Sequence, residues 1–289
     1  MSFRNVIVED RAKLEYSLNY LVCRKGLEEK RILLDEIKTI IINSTQVSIT
    51  TSLISQLSKK KIKLIFCDEY HNPECEMVSY QNNYYSYRKI KEQFHFVNER
   101  GNIWKRIVEE KIKNQSRNLE YKQLNESMSM LIEYGRNVEC DDVSNREGHS
   151  AKVYFNALFG NDFNRNQDND INKYLNYGYS ILLSVINREI KSLGYLTELG
   201  IHHIGESNPF NLSCDLIEPL RPLVDFYVVS DRVNNDNFRK EFIAMLASQV
   251  KYNKQNIFLD NAIHLYVTDI ITCIKDNCVD KIKFIEYEL

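Results

Sequence analysis

The residues best suited to chemistry lie in three short phrases of the C-terminal half. The first is Ser144-Asn145-Arg146-Glu147-Gly148-His149-Ser150-Ala151. Glu147 begins a helical stripe that continues through Ala151, Tyr154, Phe155 and Leu158, so its side chain points towards the core side. Ser144 and Glu147 also form an S-x-x-E capping box, which accounts for both without any function. Spacing alone favours the cap.

The second phrase is Gly200-Ile201-His202-His203-Ile204-Gly205. Adjacent histidines project in different directions, so at most one serves a given site. A loop between glycines can aim an imidazole without helical constraint. Taken in isolation, the pair reads better as surface or hydrogen-bonded histidines.

The third is Ser213-Cys214-Asp215-Leu216-Ile217-Glu218-Pro219-Leu220-Arg221-Pro222. Asp215, Glu218 and Arg221 follow at intervals of three, which in a plain helix is a solvent ion-pair ladder. Pro219 and Pro222 disturb that picture, because each lacks an N–H and kinks or starts a helix. Three of the four prolines lie within 209–222, a sign of deliberate backbone shaping around the acids.

Two glutamates and an imidazole make an oxygen–nitrogen donor set suited to Mg²⁺ or Mn²⁺, the imidazole tilting the preference to Mn²⁺. Such an ion would polarise a phosphodiester and stabilise the charge of an in-line displacement. The spacing of 147, 203 and 218 does not by itself join the three. Other chemistries are poorly supported: there is no P-loop, no G-x-G-x-x-G, no H-E-x-x-H and no G-x-S-x-G elbow.

The whole chain has the composition of an ordinary folded protein. It has 289 residues, 43% hydrophobic and 27% charged, with a net charge of −2 that argues against a histone-like DNA coat. The start, Met1-Ser2-Phe3-Arg4-Asn5, shows no apolar signal region, and no apolar run reaches membrane-spanning length. Seven scattered cysteines without a C-x-x-C indicate neither a zinc ribbon nor a disulfide framework. A reducing cytoplasm is the expected location.

Two textures divide the chain. Residues 1–80 read as a β-rich domain, with short strands at Val6–Val8, Leu14–Tyr16, Tyr20–Cys23, Arg31–Leu34, Thr39–Ile42 and Ile62–Phe66. One helix, capped by Thr50 or Thr51, ends near Ser58. Residues 84–289 read as a larger all-α domain, with the joint near 73–84. Its longest amphipathic helix runs from Ile171 to Leu193 and closes at Gly194. The predicted class is α+β.

Residues 88–117 carry nine basic side chains against four acidic ones. Tyr84, Tyr85 and Tyr87 precede them, and Phe94, Phe96 and Trp104 are interleaved. The mixture suits a surface that grips phosphates and stacks on bases. An amphipathic helix with its aromatics in the core fits equally well.

Four ordered phrases resemble the CRISPR-associated integrase family, the catalytic subunit of spacer acquisition. They are Asn145–Ala151 with Tyr154-Phe155, then Asp170-Ile171-Asn172 with Tyr177-Gly178-Tyr179, then Leu199–His203, and Asp215–Pro222. Leu158-Phe159-Gly160-Asn161-Asp162-Phe163 resembles the type II branch in particular. The likeness covers essentially the whole chain.

It implies metal ligands at Glu147, His203 and Glu218 that are also the catalytic residues, with Asp215, His202 and Tyr154 as supporting residues. Only the phrase alignment favours His203 over His202, and some family members have Asp where Glu218 stands. On this resemblance, ligation becomes the better reading of Glu147. The implied reaction is a metal-dependent one with Mg²⁺ or Mn²⁺, in which a DNA 3′-hydroxyl attacks a phosphodiester at a CRISPR repeat. With water as nucleophile the site would be an endonuclease. Arg146, Arg165 and Arg221 are candidate phosphate contacts. Double-stranded DNA, a homodimer formed through the N-terminal domain and a smaller companion subunit are the implied partners. The alternatives are a non-catalytic DNA-binding scaffold of the same fold and an RNA-directed metal nuclease.

Overall fold

The computed structural model describes residues 4–69, 73–79, 87–94, 100–276 and 278–288. The chain divides into two compact units, Met1–Tyr84 and Tyr85–Leu289. Residues 80–86, which overlap the expected joint at 73–84, lie outside the described residues.

The first unit holds β1 (Arg4–Val8), β2 (Ala12–Ser17), β3 (Tyr20–Lys25), β4 (Glu28–Leu33), β5 (Ile37–Ile42), β6 (Val47–Ile49), α1 (Thr51–Lys59), β7 (Lys63–Cys67) and β8 (Pro73–Glu76). They form two four-stranded sheets, ordered β4-β3-β2-β6 and β1-β5-β7-β8. Leu18 and Asn19 both take positive φ, the geometry a tight β2–β3 hairpin needs to match strand twist. Thr50 caps α1 by accepting from the Leu53 N–H. Leu14, Leu21, Leu34, Ile40, Leu53, Leu57 and Leu64 are fully buried, which is the alternation of β2 and β3 and the stripe of α1 made physical. Strands β6 and β8 escape sequence reading because three or four residues show no clear period.

The second unit is helical. It contains α2 (Tyr87–Phe94), α3 (Arg100–Tyr121), α4 (Asn125–Arg136), α5 (Arg146–Phe159), α6 (Asp170–Ser192), α7 (Asn211–Ile217), α8 (Arg221–Val229) and α9 (Phe238–Met245). A hairpin of β9 (Gln249–Tyr252) and β10 (Gln255–Phe258) precedes α10 (Leu259–Asp276). That hairpin is the one sheet element among the described residues of an otherwise helical unit. None of the described helices is long and apolar enough to cross a membrane.

Helix α6 spans the expected residues but is buried on most of its circumference rather than on one stripe. Helices α7, α8, α9 and α10 all pack against it. Two of its buried polar residues are accommodated by bonds: the Ser184 hydroxyl donates to the Ile181 carbonyl, and the Asn172 amide donates to the carbonyls of Asn164 and Gln167. Across the unit, Asn114 and Asn118 of α3 donate to the carbonyls of Pro219 and Pro222 at 3.0 and 2.8 Å. These bonds fasten α3 to the junction between α7 and α8, where the prolines interrupt regular helix.

Candidate active site

Glu147 reaches its place through the way α5 begins. Asp141, Asp142 and Asn145 all take left-handed backbone angles just before the helix. Asn145 is the cap, accepting from the Gly148 N–H, and Asp142 accepts from the N–H groups of Arg146 and Glu147 at 2.8 and 2.9 Å. The expected Ser144–Glu147 capping box does not form, and the Ser144 hydroxyl has no hydrogen-bond partner. Asp142 and Asn145 satisfy the helix end instead, so the Glu147 carboxylate is not needed there.

The released carboxylate meets Lys111. The ammonium of Lys111 lies 2.5 Å from Glu147 Oε1 and 2.5 Å from Glu218 Oε2. Glu218 sits in the 3₁₀ turn Glu218–Leu220 between α7 and α8, 4% exposed, and also accepts from Arg221 Nε at 2.8 Å. The solvent ladder is therefore overturned: Asp215 and Glu218 are both buried, and Asp215 turns away to another partner. Burial alone would raise the Glu218 carboxyl. Arg221 and Lys111 overcome this and hold it down at about 2. Burial likewise opposes the charge on Lys111, but Glu218 and Glu147 push its pKa up and keep it an ammonium.

Asp215 organises the histidine loop. Fully buried on α7, it accepts from the backbone N–H groups of Ile201, His202 and His203 at 2.5, 3.1 and 3.0 Å. It also holds His203 Nδ1 at 2.6 Å. That contact raises the His203 pKa against the effect of burial, and Glu218 and Glu147 add to the rise, so both glutamates act on this ring. With Nδ1 occupied, Nε2 is the nitrogen available to a ligand. Gly200 permits the close approach: a Cβ there would lie 2.2 Å from the His203 carbonyl oxygen and 2.8 Å from Asp215 Oδ2.

His202 is engaged differently. Its ring stacks on Trp104 with centroids 4.3 Å apart, and its Nδ1 faces Asp141 Oδ1 at 3.1 Å. Trp104 also meets His203 edge-on at 5.8 Å. The site is thus assembled from α3, the start of α5, the 201–203 loop and the α7–α8 junction.

Tyr154 belongs to an adjoining buried network. Its hydroxyl accepts from Asn118 at 2.7 Å, and both Tyr154 and Tyr179 hydrogen bond to Asp225. Burial pushes the Asp225 carboxyl up to about 6, while the two tyrosines, Arg165 and Arg221 pull the other way. The folded pKa thus exceeds the ordinary 3.8, so this group favours folding below about pH 4. That contribution is lost as pH rises through about 6. At about 1.4 kcal/mol per pKa unit, the penalty reaches about 3 kcal/mol. Asp225→Asn is expected to gain that much on the wild type between pH 4 and 7.5 in urea unfolding. A pH-independent difference would refute it.

The three arginines lie in different settings. Arg221 stands 4.7 Å over the Tyr179 ring while paired to Glu218. Arg165 lies 5.4 Å over the same ring and donates to Asn172 and Asn176. Arg146 rests over Tyr134, at 5.6 Å. The structure therefore places Arg221 in the carboxylate cluster, Arg165 beside it and Arg146 against α4.

The basic 88–117 segment resolves mostly into helix α3 chemistry. Trp104 is fully buried and stacks on a histidine rather than facing solvent, so it is not a base-stacking platform. Lys105 and Arg106 pair with Glu109, and Lys113 pairs with Glu110. Tyr84, Tyr85, Phe96 and the side chains of Tyr87 and Arg88 lie outside the described residues. Sequence reasoning missed the roles of Lys111, Trp104 and Asp142. A signal existed for the first: Lys111 shares a helical face with Trp104, Ile107 and Val108, and a lysine on a core stripe needs a partner.

Among the described residues no group of three or more His, Cys, Asp or Glu side chains converges closely enough to hold a metal ion. The donor chemistry nevertheless fits one. Two carboxylates from separate elements already meet on a single cation, the Lys111 ammonium, beside an imidazole with one ring nitrogen to spare. Oxygens with one imidazole suit a hard or borderline divalent ion.

The profile of the family described as CRISPR associated protein Cas1 matches residues 6–256. The chain belongs to the Cas1 family. A CRISPR-associated endonuclease Cas1 from Neisseria meningitidis is 33% identical over 230 residues, covering 79% of this chain and 76% of that one. A Cas1 endonuclease from Francisella tularensis subsp. novicida is 26% identical over 280 residues, 86% of this chain and 88% of the relative. The Cas1 fold is equally clear. A casposase bound to integration product superposes with a TM-score of 0.78 at 20% identity, covering 99% of this chain and 95% of that chain. A Cas1 protein from Thermotoga maritima gives 0.75 at 15% identity, over 94% and 97% of the two chains. The β-rich first unit and helical second unit are thus the architecture expected of Cas1 from the sequence phrases.

Proposed function

We propose that this Cas1-family chain is a divalent-metal-dependent DNA integrase of the type II branch, inserting short captured DNA into a CRISPR repeat array. The observation that carries the proposal is the meeting of Glu147 and Glu218 on one cation beside an imidazole fixed by a buried aspartate. The matching family and the casposase likeness support it, and the Leu158–Phe163 phrase supports the branch.

Glu147, Glu218 and His203 would hold Mg²⁺ or Mn²⁺. Once bound, such an ion supplies Lewis-acid stabilisation of the charge that grows on the phosphoryl oxygens. The chain's own residues do the rest. Asp215 fixes the His203 ring and its loop, so Nε2 is presented without a search over rotamers. Arg221, oriented by Glu218 and the Tyr179 ring, offers guanidinium N–H groups to a phosphate. The captured DNA brings the nucleophile as its 3′-hydroxyl, so no protein nucleophile is needed. With water in its place, the same residues would cleave DNA.

Two further superposing structures are complexes of a Cas6-RT-Cas1 chain with Cas2, at TM-scores of 0.75 and 0.64. By analogy the working form proposed here is a homodimer, bridged to its copies by a smaller companion subunit in the cytoplasm.

The test is integration of a labelled duplex into a repeat-bearing plasmid, with the companion subunit supplied. Joined product is expected with Mn²⁺ and only background with EDTA. Joining that survives EDTA would overturn the metal reading. Salt-sensitive DNA binding with neither joining nor cleavage would establish a scaffold in place of an enzyme.

A further inference from the structure

We propose that Lys111 is the resident counter-ion of the metal-free site, displaced by an arriving divalent ion and then taken up by a phosphate of the DNA. The inference rests on the reading of Glu147, His203 and Glu218 as metal ligands.

The placement of Lys111 is the first argument. It projects from the core stripe of α3, only 7% exposed, where a lysine is costly without a charged partner. Its ammonium is the only described cation that touches both carboxylates, one 36 and the other 107 residues away in sequence. Without it, two carboxylates would face each other in a poorly solvated place and repel.

Charge balance is the second. Glu147 and Glu218 are matched by Lys111 and Arg221, so the metal-free cluster is near neutral. A divalent ion needs the oxygens that the ammonium occupies. Once the ion is in place, the cluster carries a positive surplus, and the four-carbon stem lets the lysine swing away while α3 stays fixed by Asn114 and Asn118. A DNA phosphate is the natural new partner of the displaced charge. Metal and DNA therefore bind cooperatively, each favouring the arrangement the other needs.

The experiment acylates lysines of the wild-type protein and quantifies each site by mass spectrometry, with and without Mn²⁺, alongside direct Mn²⁺ titration. Lys63, buried beside Glu76 in the first unit, is the internal control. Lys111 is expected to be protected without metal and to label several-fold faster with Mn²⁺, while Lys63 does not change. Adding duplex DNA should restore the protection. Lys111→Met is expected to bind Mn²⁺ about tenfold more tightly, a difference of about 1.4 kcal/mol, and to join DNA less well. Mn²⁺ that binds without altering Lys111 labelling overturns the inference but not the metal site. So does weaker Mn²⁺ binding by Lys111→Met. Absence of Mn²⁺ binding to the wild type overturns both. If Lys111→Met does not fold, the labelling of the wild type decides alone.

Discussion

Glu147→Ala is expected to fold normally and to lose DNA integration by about a thousandfold or more. The magnitude follows from the proposed role of Glu147 as a metal ligand, which would support several kcal/mol of transition-state stabilisation, at about 1.4 kcal/mol per factor of ten. The stability cost is small because Glu147 is 28% exposed and solvent screens its pair with Lys111, leaving about 1 kcal/mol. Glu218→Ala should be equally inactive but far less stable. Its loss leaves Lys111 with Glu147 alone and takes from Arg221 its carboxylate, and removing one partner from a buried ion cluster costs about 3–5 kcal/mol. Urea unfolding and plasmid integration on the same preparations separate the two effects. Glu147→Ala with near wild-type integration would remove this residue from the site.

Asp215→Asn is the second substitution with a large expected effect. The carboxylate accepts three backbone N–H groups and the His203 ring nitrogen, and it is fully buried. An asparagine keeps the shape but turns one acceptor oxygen into a donor NH₂ facing donors. Each oxygen accepts two of the four bonds, so two charge-assisted bonds are lost, at a cost of about 3 kcal/mol or more. Because the ring loses its orienting partner, Mn²⁺ affinity and turnover are expected to fall about 10–100-fold. Calorimetric Mn²⁺ titration is the decisive readout. A destabilised variant that still binds Mn²⁺ as tightly as wild type would restrict Asp215 to shaping the loop.

Much of the molecule can be read along the chain because its determinants are local. Alternation of Leu14 and Tyr16 with polar neighbours marks β2, and Thr50 before Leu53 and Leu57 marks α1. The recurrence from Ile171 to Leu193 marks α6. Pro219 and Pro222 announce the break that separates α7 from α8, since their missing N–H groups are visible in the residue type itself. The phrases around Glu147, His203 and Glu218 were legible too, together with the family they resemble.

Other features depend on backbone geometry or on neighbours distant in sequence. Ser144 and Asn145 are both good caps by type; Asn145 takes the role because the left-handed turn at residues 141–145 presents its side chain to Gly148. Residue type and spacing do not separate His202 from His203, whose surroundings differ because Trp104 stacks on one and Asp215 holds the other. Helix α6 looks amphipathic by period, yet four helices close over it.

The sequence by itself thus determined the two-part architecture, the main elements and the residue types proposed to handle a phosphodiester. Tertiary structure alone decided which charges meet: Lys111 between Glu147 and Glu218, Asp215 under the histidine loop, and Asp225 beneath two tyrosines. The physical reason is range. Periodicity and capping act within a helical turn or two, whereas a buried charge finds its partner through space, across separations of up to about a hundred residues that leave no periodic trace.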